Sequence, residues 1–231
     1  KTKLLIDAGL SGKMIMQALN SIGEDPSELN AILVSHEHSD HIKGAGIMSR
    51  RFGIPIYAND GTWEAMESAI GQVGAGNLRR FDTGDGFEIG DISVRAFPIP
   101  HDAREPVGFN FFARSRKITV ATDIGHMNRE LLECFDKSDL ILLESNHDTE
   151  MLKVGPYPWV LKQRIMGRTG HLSNDTAGKV VAYMAERGTE NFLLGHLSKE
   201  NNFPELAYQT ACAALQDKGI EPGRDIRLDV V

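Results

Sequence analysis

The apolar run Ala31-Ile32-Leu33-Val34 breaks at Ser35 and is followed by His36-Glu37-His38-Ser39-Asp40-His41, five metal-capable side chains in six positions. Four apolar residues bounded by polar ones fit a short strand covered on both faces, as in a parallel sheet flanked by helices. The chemistry then sits at the C-terminal end of that strand. Residues 40–51 place apolar side chains at Ile42, Ala45, Ile47 and Met48 ahead of Gly53, which predicts a helix closed by glycine. His36 and His38, two apart in extended chain, project to one side, while Asp40 and His41 lie at the turn into the helix and can face a second point. A single histidine is more often a satisfied core or surface residue than a ligand. Three with an aspartate in six residues are another matter, because packing gains nothing from desolvating so many polar groups together. One short loop can hold two metals.

The rest of the chain alternates strands and helices. Residues 3–6 read as a strand ended by Asp7-Ala8-Gly9, and Ser11 caps a helix through Ala18 and Ile22 that Gly23 stops. Residues 54–58 form a strand and 60–70 a helix with Trp63, Met66 and Ile70 on one side; 71–90 are glycine-rich and read as a loop and short hairpin. Strands over 92–97, 107–113, 117–122, 139–143, 192–195 and 225–231 follow. Between them lie helices capped by Asn128 and by Ser173 or Asn174, a loop-then-helix over 153–169 whose helix runs near 159–166, and a helix over 204–215. Asp7, His36, His101, Asp123, Glu144 and His196 all come just after apolar strands, where a core histidine would fall inside them. In stacked α/β layers, strand ends on one edge converge, so residues distant in sequence can share one cleft.

Length 231 suits a single α/β domain over 1–231, opening at Lys1 with an earlier strand expected to be missing. No apolar run approaches the ~20 residues of a membrane span. Cys134 and Cys212 lie in apolar helical contexts and read as reduced, buried residues of a cytoplasmic protein, not as ligands. A net charge of −7 argues against a chain coated in positive potential for nucleic acid, but leaves room for a local basic rim from Arg50-Arg51, Arg79-Arg80, 114–117 or 162–168.

The His-x-His-x-Asp-His element after an apolar strand resembles the signature of the metallo-β-lactamase fold, a four-layer αββα sandwich. Leu4-Leu5-Ile6-Asp7-Ala8-Gly9-Leu10-Ser11, Ser35 to Gly44 and Gly195-His196-Leu197-Ser198-Lys199-Glu200-Asn201-Asn202 resemble the WalJ family, also called YycJ or VicX, over essentially the whole chain. That family's members are regarded as bacterial DNA exonucleases encoded beside a cell-wall two-component system. The resemblance implies that His36, His38 and His101 hold one divalent ion and Asp40, His41 and His196 a second, with Asp123 bridging and Asp7 orienting a ligand histidine. Imidazole and carboxylate without thiolate suit zinc, manganese or iron. A hydroxide bridging the two metals would be the attacking group. Gly170-His171-Leu172-Ser173 is similar to the histidine motif of the tRNA 3′-processing nucleases, which implies His171 as general acid or phosphate contact and Glu144 as its partner. The Asn146-His147-Asp148 run has no counterpart there, so that substrate does not carry over. His147 and Asn174 are candidate phosphate contacts, His126 is a weaker one, and Asn201 and Asn202 are expected to order the loop after His196.

The reading is a dinuclear phosphodiesterase acting on DNA, a 5′-to-3′ exonuclease. A small-molecule hydrolase of thioesters, lactones or cyclic phosphodiesters would use the same seven ligands. A regulatory metal-binding protein would instead close each site with four protein ligands, whereas seven shared between two ions leave positions for water.

Overall fold

In the computed structural model, which describes residues 1–231, the buried run that opens the metal-capable stretch becomes the second strand of a parallel sheet. The chain divides into two compact units, residues 1–98 with 103–107, and residues 99–102 with 108–231.

The first unit is built on β1 (Leu4–Ile6), α1 (Gly12–Ser21), β2 (Ala31–Leu33), α2 (Ser39–Ile42), α3 (Ala45–Phe52), β3 (Ile56–Ala58), α4 (Asp60–Ile70) and β4 (Leu78–Arg80), followed by an antiparallel pair, β5 (Gly86–Ile89) and β6 (Ile92–Pro98). The sheet order is β1-β2-β3-β4 and every pairing is parallel. All three β2 residues are fully buried, because a parallel sheet covered on both faces leaves no side of the strand to water. Ile15, Val34, Ile42, Met48, Trp63 and Met66 fill the core around it. The helices begin where polar caps expect them to: Ser11 accepts from Met14 N and Asn59 from Thr62 N.

The single helix expected over 40–51 is two. Ala8 N donates to His41 O (2.6 Å) and Gly44 N to Ala8 O (2.7 Å), so the loop after β1 takes backbone groups that a continuous ladder would use. A Cβ on Gly9 would lie 1.5 Å from Asp40 O, and one on Gly44 would lie 2.4 Å from Leu10 O. Two chain segments meet there at backbone distance, which only glycine permits. β4 was not foreseen in the sequence: Leu78-Arg79-Arg80 has no strand pattern, and its register against β3 (Tyr57↔Arg79) is what defines it.

The second unit carries β7 (Val107–Ala113), β8 (Arg116–Ala121), α5 (Arg129–Phe135), β9 (Leu140–Glu144), α6 (Thr149–Val154), α7 (Trp159–Ile165), α8 (Asn174–Glu186), β10 (Asn191–Gly195), α9 (Pro204–Gln216) and β11 (Arg227–Val230). β7 and β8 are antiparallel; β8, β9, β10 and β11 run parallel in that order. The register aligns Ala121 with Leu143 and Glu144 with Gly195, so Asp123, Glu144 and His196 emerge from one sheet edge. α6 is an extra helix, capped by Asp148, which accepts from Met151 N at 2.8 Å. Cys134 and Cys212 form no disulfide and are only half-buried, since each lies on a helix flank and not on its inward stripe. No helix is long and apolar enough to cross a membrane.

His147 follows β9 and bridges to Ser173 through the backbone. Burial pushes its imidazole down from 6.5 to about 4. Above pH 6.5 the ring is neutral in both states and its contribution to stability is complete. As pH falls from 6.5 toward 4, only the unfolded chain takes up the proton, so this group costs about 1.4 kcal/mol of stability per pH unit. Urea unfolding followed from about pH 7 to about pH 4.5 is expected to show this slope in the native protein and its loss in His147→Gln; equal slopes would contradict it. Gly9→Ala is expected to destabilise by about 3 kcal/mol, read as a lower urea midpoint at unchanged m value.

Candidate active site

In the first unit, Asp7 leaves β1 with φ 56°, in the left-handed region, and its amide donates to Leu33 O at 2.8 Å. That turn aims the carboxylate at the residues following β2. Oδ1 accepts from Ser35 N and Oδ2 from Ser35 Oγ, each at 2.8 Å, and Oδ2 lies 2.8 Å from His41 Nδ1. A carboxylate only accepts, so His41 carries its proton on Nδ1 and presents a lone pair at Nε2. The Ser35 hydroxyl gives its one proton to Asp7 and therefore accepts from His36 Nδ1 (3.0 Å), leaving the His36 Nε2 lone pair 3.0 Å from His38 Nδ1. The His36 ring centroid lies 4.6 Å from that of His38 and 4.1 Å from that of His41. Asp40 is exposed, with Oδ2 3.8 Å from His41 Nε2. The backbone of the same loop is held by Glu37, which accepts from Arg104 N at 2.8 Å.

In the second unit the centre is Glu144, completely buried. Its Oε2 accepts from Ile124 N (2.8 Å) and Leu172 N (2.9 Å); its Oε1 accepts from His171 Nδ1 (2.9 Å) and His196 Nδ1 (2.7 Å). Burial by itself would push this carboxyl up, but the two imidazole donors outweigh it and hold the group ionised well below the usual carboxylate range. The same pair of effects acts on His171, where burial lowers the pKa and Glu144 raises it, with a net rise. Burial lowers that of His101. The His101 Nδ1 lies 3.1 Å from Gly170 O, an obligate acceptor, so its Nε2 also bears a lone pair. That Nε2 is 3.6 Å, and the His196 Nε2 3.7 Å, from Asp123 Oδ1. Asp123, His171, His196 and Glu144 have ligand atoms within 4.8 Å of one another.

Several lone pairs facing an ionised carboxylate repel unless a cation stands among them. The donor set therefore fits a divalent metal, and nitrogen and oxygen without thiolate suits zinc, manganese or iron. Asp123 (φ 59°) and His196 (φ 57°) share the left-handed conformation of Asp7. Each costs on the order of 1 kcal/mol in a non-glycine residue. Three of the five such residues in the chain are thus residues singled out for this site, a signal that sequence periodicity does not carry.

The second unit brings together His101, Asp123, Glu144, His171 and His196, and the first unit Asp7, His36, His38, Asp40 and His41. Asn174 sits in a buried amide network. It is 1% exposed, its Oδ1 accepts from Ser145 Oγ and Asn202 Nδ2, and its Nδ2 donates to Asn202 Oδ1. Asn202 Nδ2 also donates to Ser145 O, and Asn146 Nδ2 donates to His196 O, which fixes the loop that follows β10. Not foreseen was the bond from His196 to Glu144: the sequence pairs Glu144 with His171 alone. His126 Nδ1 donates to Arg168 O (2.8 Å), and its Nε2 lies 3.3 Å from an Arg168 guanidinium nitrogen.

The β-lactamase superfamily domain matches residues 2–197. The chain is 40% identical over 230 residues to exodeoxyribonuclease WalJ of Streptococcus pneumoniae serotype 2, covering 99% of this chain and 86% of that protein. It is 40% identical over 221 residues to exodeoxyribonuclease YycJ of Bacillus anthracis, covering 96% and 84%. Among solved structures, the metallo-β-lactamase fold protein YhfI from Bacillus subtilis superposes with a TM-score of 0.71 at 17% identity over 99% of this chain and 84% of that one. Zn(2+)-bound PqqB from Methylobacterium extorquens gives 0.69 at 17% identity over 99% and 80%. At such identities the structures show the fold, two sheets with flanking helices, while the curated relatives show the group. The chain is a hydrolase of the metallo-β-lactamase superfamily and belongs within it to the WalJ/YycJ family of exodeoxyribonuclease homologues.

Proposed function

We propose that this protein is a two-metal exonuclease that hydrolyses phosphodiester bonds of DNA from the 5′ end. Support for DNA comes from the two relatives named exodeoxyribonucleases, and support for the chemistry from the carboxylate of Glu144 bonded to both His171 and His196. His36, His38 and His101 would hold one ion, Asp40, His41 and His196 the other, with Asp123 shared; Asp7 sets the tautomer of His41. When bound, two divalent ions, zinc or manganese by donor type, would supply Lewis acidity toward the phosphate and a water activated near neutral pH. His171, anchored at Nδ1 and raised in pKa by Glu144, delivers a proton from Nε2 to the departing 3′-oxygen. Glu144 thus serves two ends of the reaction, aiming the acid and aiming a ligand.

The test is incubation of 5′-labelled duplex DNA with the protein and Mn²⁺, which is expected to release labelled mononucleotides. Turnover of a thioester, lactone or cyclic phosphodiester without cleavage of any DNA or RNA would replace this reading with that of a small-molecule hydrolase. His171→Ala is expected to lower kcat by about 10²- to 10⁴-fold while elemental analysis still finds about two metals per chain. Glu144→Gln is expected to lower both activity and metal content, because His196 loses its anchor; full metal content in this variant would detach Glu144 from the ligand shell. Chelation is expected to abolish cleavage and lower Tm, with recovery of both on adding Mn²⁺, since a ligand that binds only the folded chain stabilises it.

A further inference from the structure

Beside His171 in the second unit lies a cavity of about 400 Å³ whose walls include His126, Met127, His147, Met166, His171 and Thr176. This volume falls at the low end of the range for small-molecule sites, about 300–1,000 Å³. It suits one nucleotide and not two. His147 lines this cavity at 3% exposure, and its Nδ1, shut off from solvent, makes no hydrogen bond, an arrangement that costs about 1–3 kcal/mol in a buried polar group and that packing alone does not account for. The other ring nitrogen of this imidazole is the one left to meet the edge of a base. Met127 and Met166 supply thioethers, which pack well against flat aromatic rings. Arg168 is exposed, pairs with no carboxylate, and is bound to cavity-lining His126 through both its carbonyl and its guanidinium. That leaves a fixed cation with donors directed by a ring at the cavity wall, suited to a phosphate.

We infer that this cavity receives the 5′-terminal nucleotide of a DNA strand as the leaving group, with Arg168 taking its 5′-phosphate. The inference rests on the nuclease reading and deepens it. Water attacks phosphorus, the bond from phosphorus to the 3′-oxygen of the terminal nucleotide breaks, and that oxygen takes its proton from His171. The new phosphate oxygen stays with the shortened strand, which keeps a 5′-phosphate, and a 5′-mononucleotide departs from the cavity. Because His171 stands on the cavity wall, the leaving side of the reaction is the side with room for a single nucleotide, and this sets both the direction of digestion and its step.

The experiment compares kcat/KM on duplexes of one sequence carrying a 5′-phosphate or a 5′-hydroxyl. The native protein is expected to favour the phosphate by about tenfold, in line with a charge-assisted guanidinium–phosphate contact of about 1.4 kcal/mol, and Arg168→Gln to bring the ratio close to one. Met166→Trp, which occupies the cavity from its rim, is expected to raise KM for both ends and to weaken inhibition by added deoxyadenosine monophosphate. Equal use of the two ends by the native protein, or release of mononucleotides from the 3′ end, overturns the inference while the nuclease reading stands. No cleavage of DNA at all overturns both.

Discussion

The cluster in each unit depends on which nitrogen of each imidazole keeps its proton. In His41, His36, His101 and His196 the Nδ1 is tied to an oxygen, from Asp7, Ser35, Gly170 and Glu144 respectively, and Nε2 is left to bind. A free imidazole divides its proton between two positions and rotates; each of these rings has lost both freedoms before any ligand arrives. The anchors are themselves anchored. Asp7 takes three contacts and Glu144 four, all near 2.8 Å, so a small movement of either carboxylate would disturb several rings together. The cost of burying Glu144 as an anion is offset by its two backbone and two imidazole donors, and removing one of these would leave the charge underpaired.

Backbone strain supplies the second constraint. Asp7, Asp123 and His196 adopt left-handed φ values just beyond β1, β8 and β10, a conformation that turns a side chain back across the strand end. A relaxed residue at any of them would continue the strand direction and carry its side chain away from the partners it has within its own unit. The sheets make the strain tolerable, because the ladders of the strands behind these residues are fixed in register. The close passage of Gly9 against Asp40 works similarly: the loop after β1 is pressed on the backbone that carries the metal-capable residues, so the two loops keep one relative position.

Much of this was legible in the chain. Buried parallel strands announce themselves as short apolar runs, and residues such as His36, Asp123 and His196 stand out because they follow those runs and do not sit within them. The caps Ser11, Asn128 and Ser173 and the stop at Gly53 follow from local chemistry that tertiary contacts do not override. What the sequence hid has a common cause, namely partners far away in the chain. β4 exists only through β3; the break at Lys43-Gly44 comes from Ala8; Asn174 is consumed by Asn202; Glu144 meets His196 across 52 positions. None of these has a periodic or local signature.

The charge balance of the chain can be reconciled with a polyanionic substrate by asking where its cations are spent. Arg80 pairs with Asp60, Arg116 with Asp139, Arg164 with Asp102, Arg187 with Asp136, Arg224 with Asp225 and Arg227 with Asp229. Lys162 is buried and donates to the carbonyls of Lys153 and Gly155, while exposed Arg50 donates to those of Ile70 and Gln72. Exposed pairs of this kind contribute little stability, about 0–1 kcal/mol each. Their effect on the field is larger, since within the basic clusters that the sequence displays they neutralise Arg80, Arg116 and Arg164. With a net charge of −7 the surface repels nucleic acid at long range. Attraction to a polyanion is then a short-range effect, in which a cation that faces no carboxylate, such as Arg168, acts within about a Debye length of 8–10 Å. A protein arranged this way gains little from sliding along duplex flanks and most from an end that can reach its site, which is the behaviour expected of an enzyme that works from a terminus.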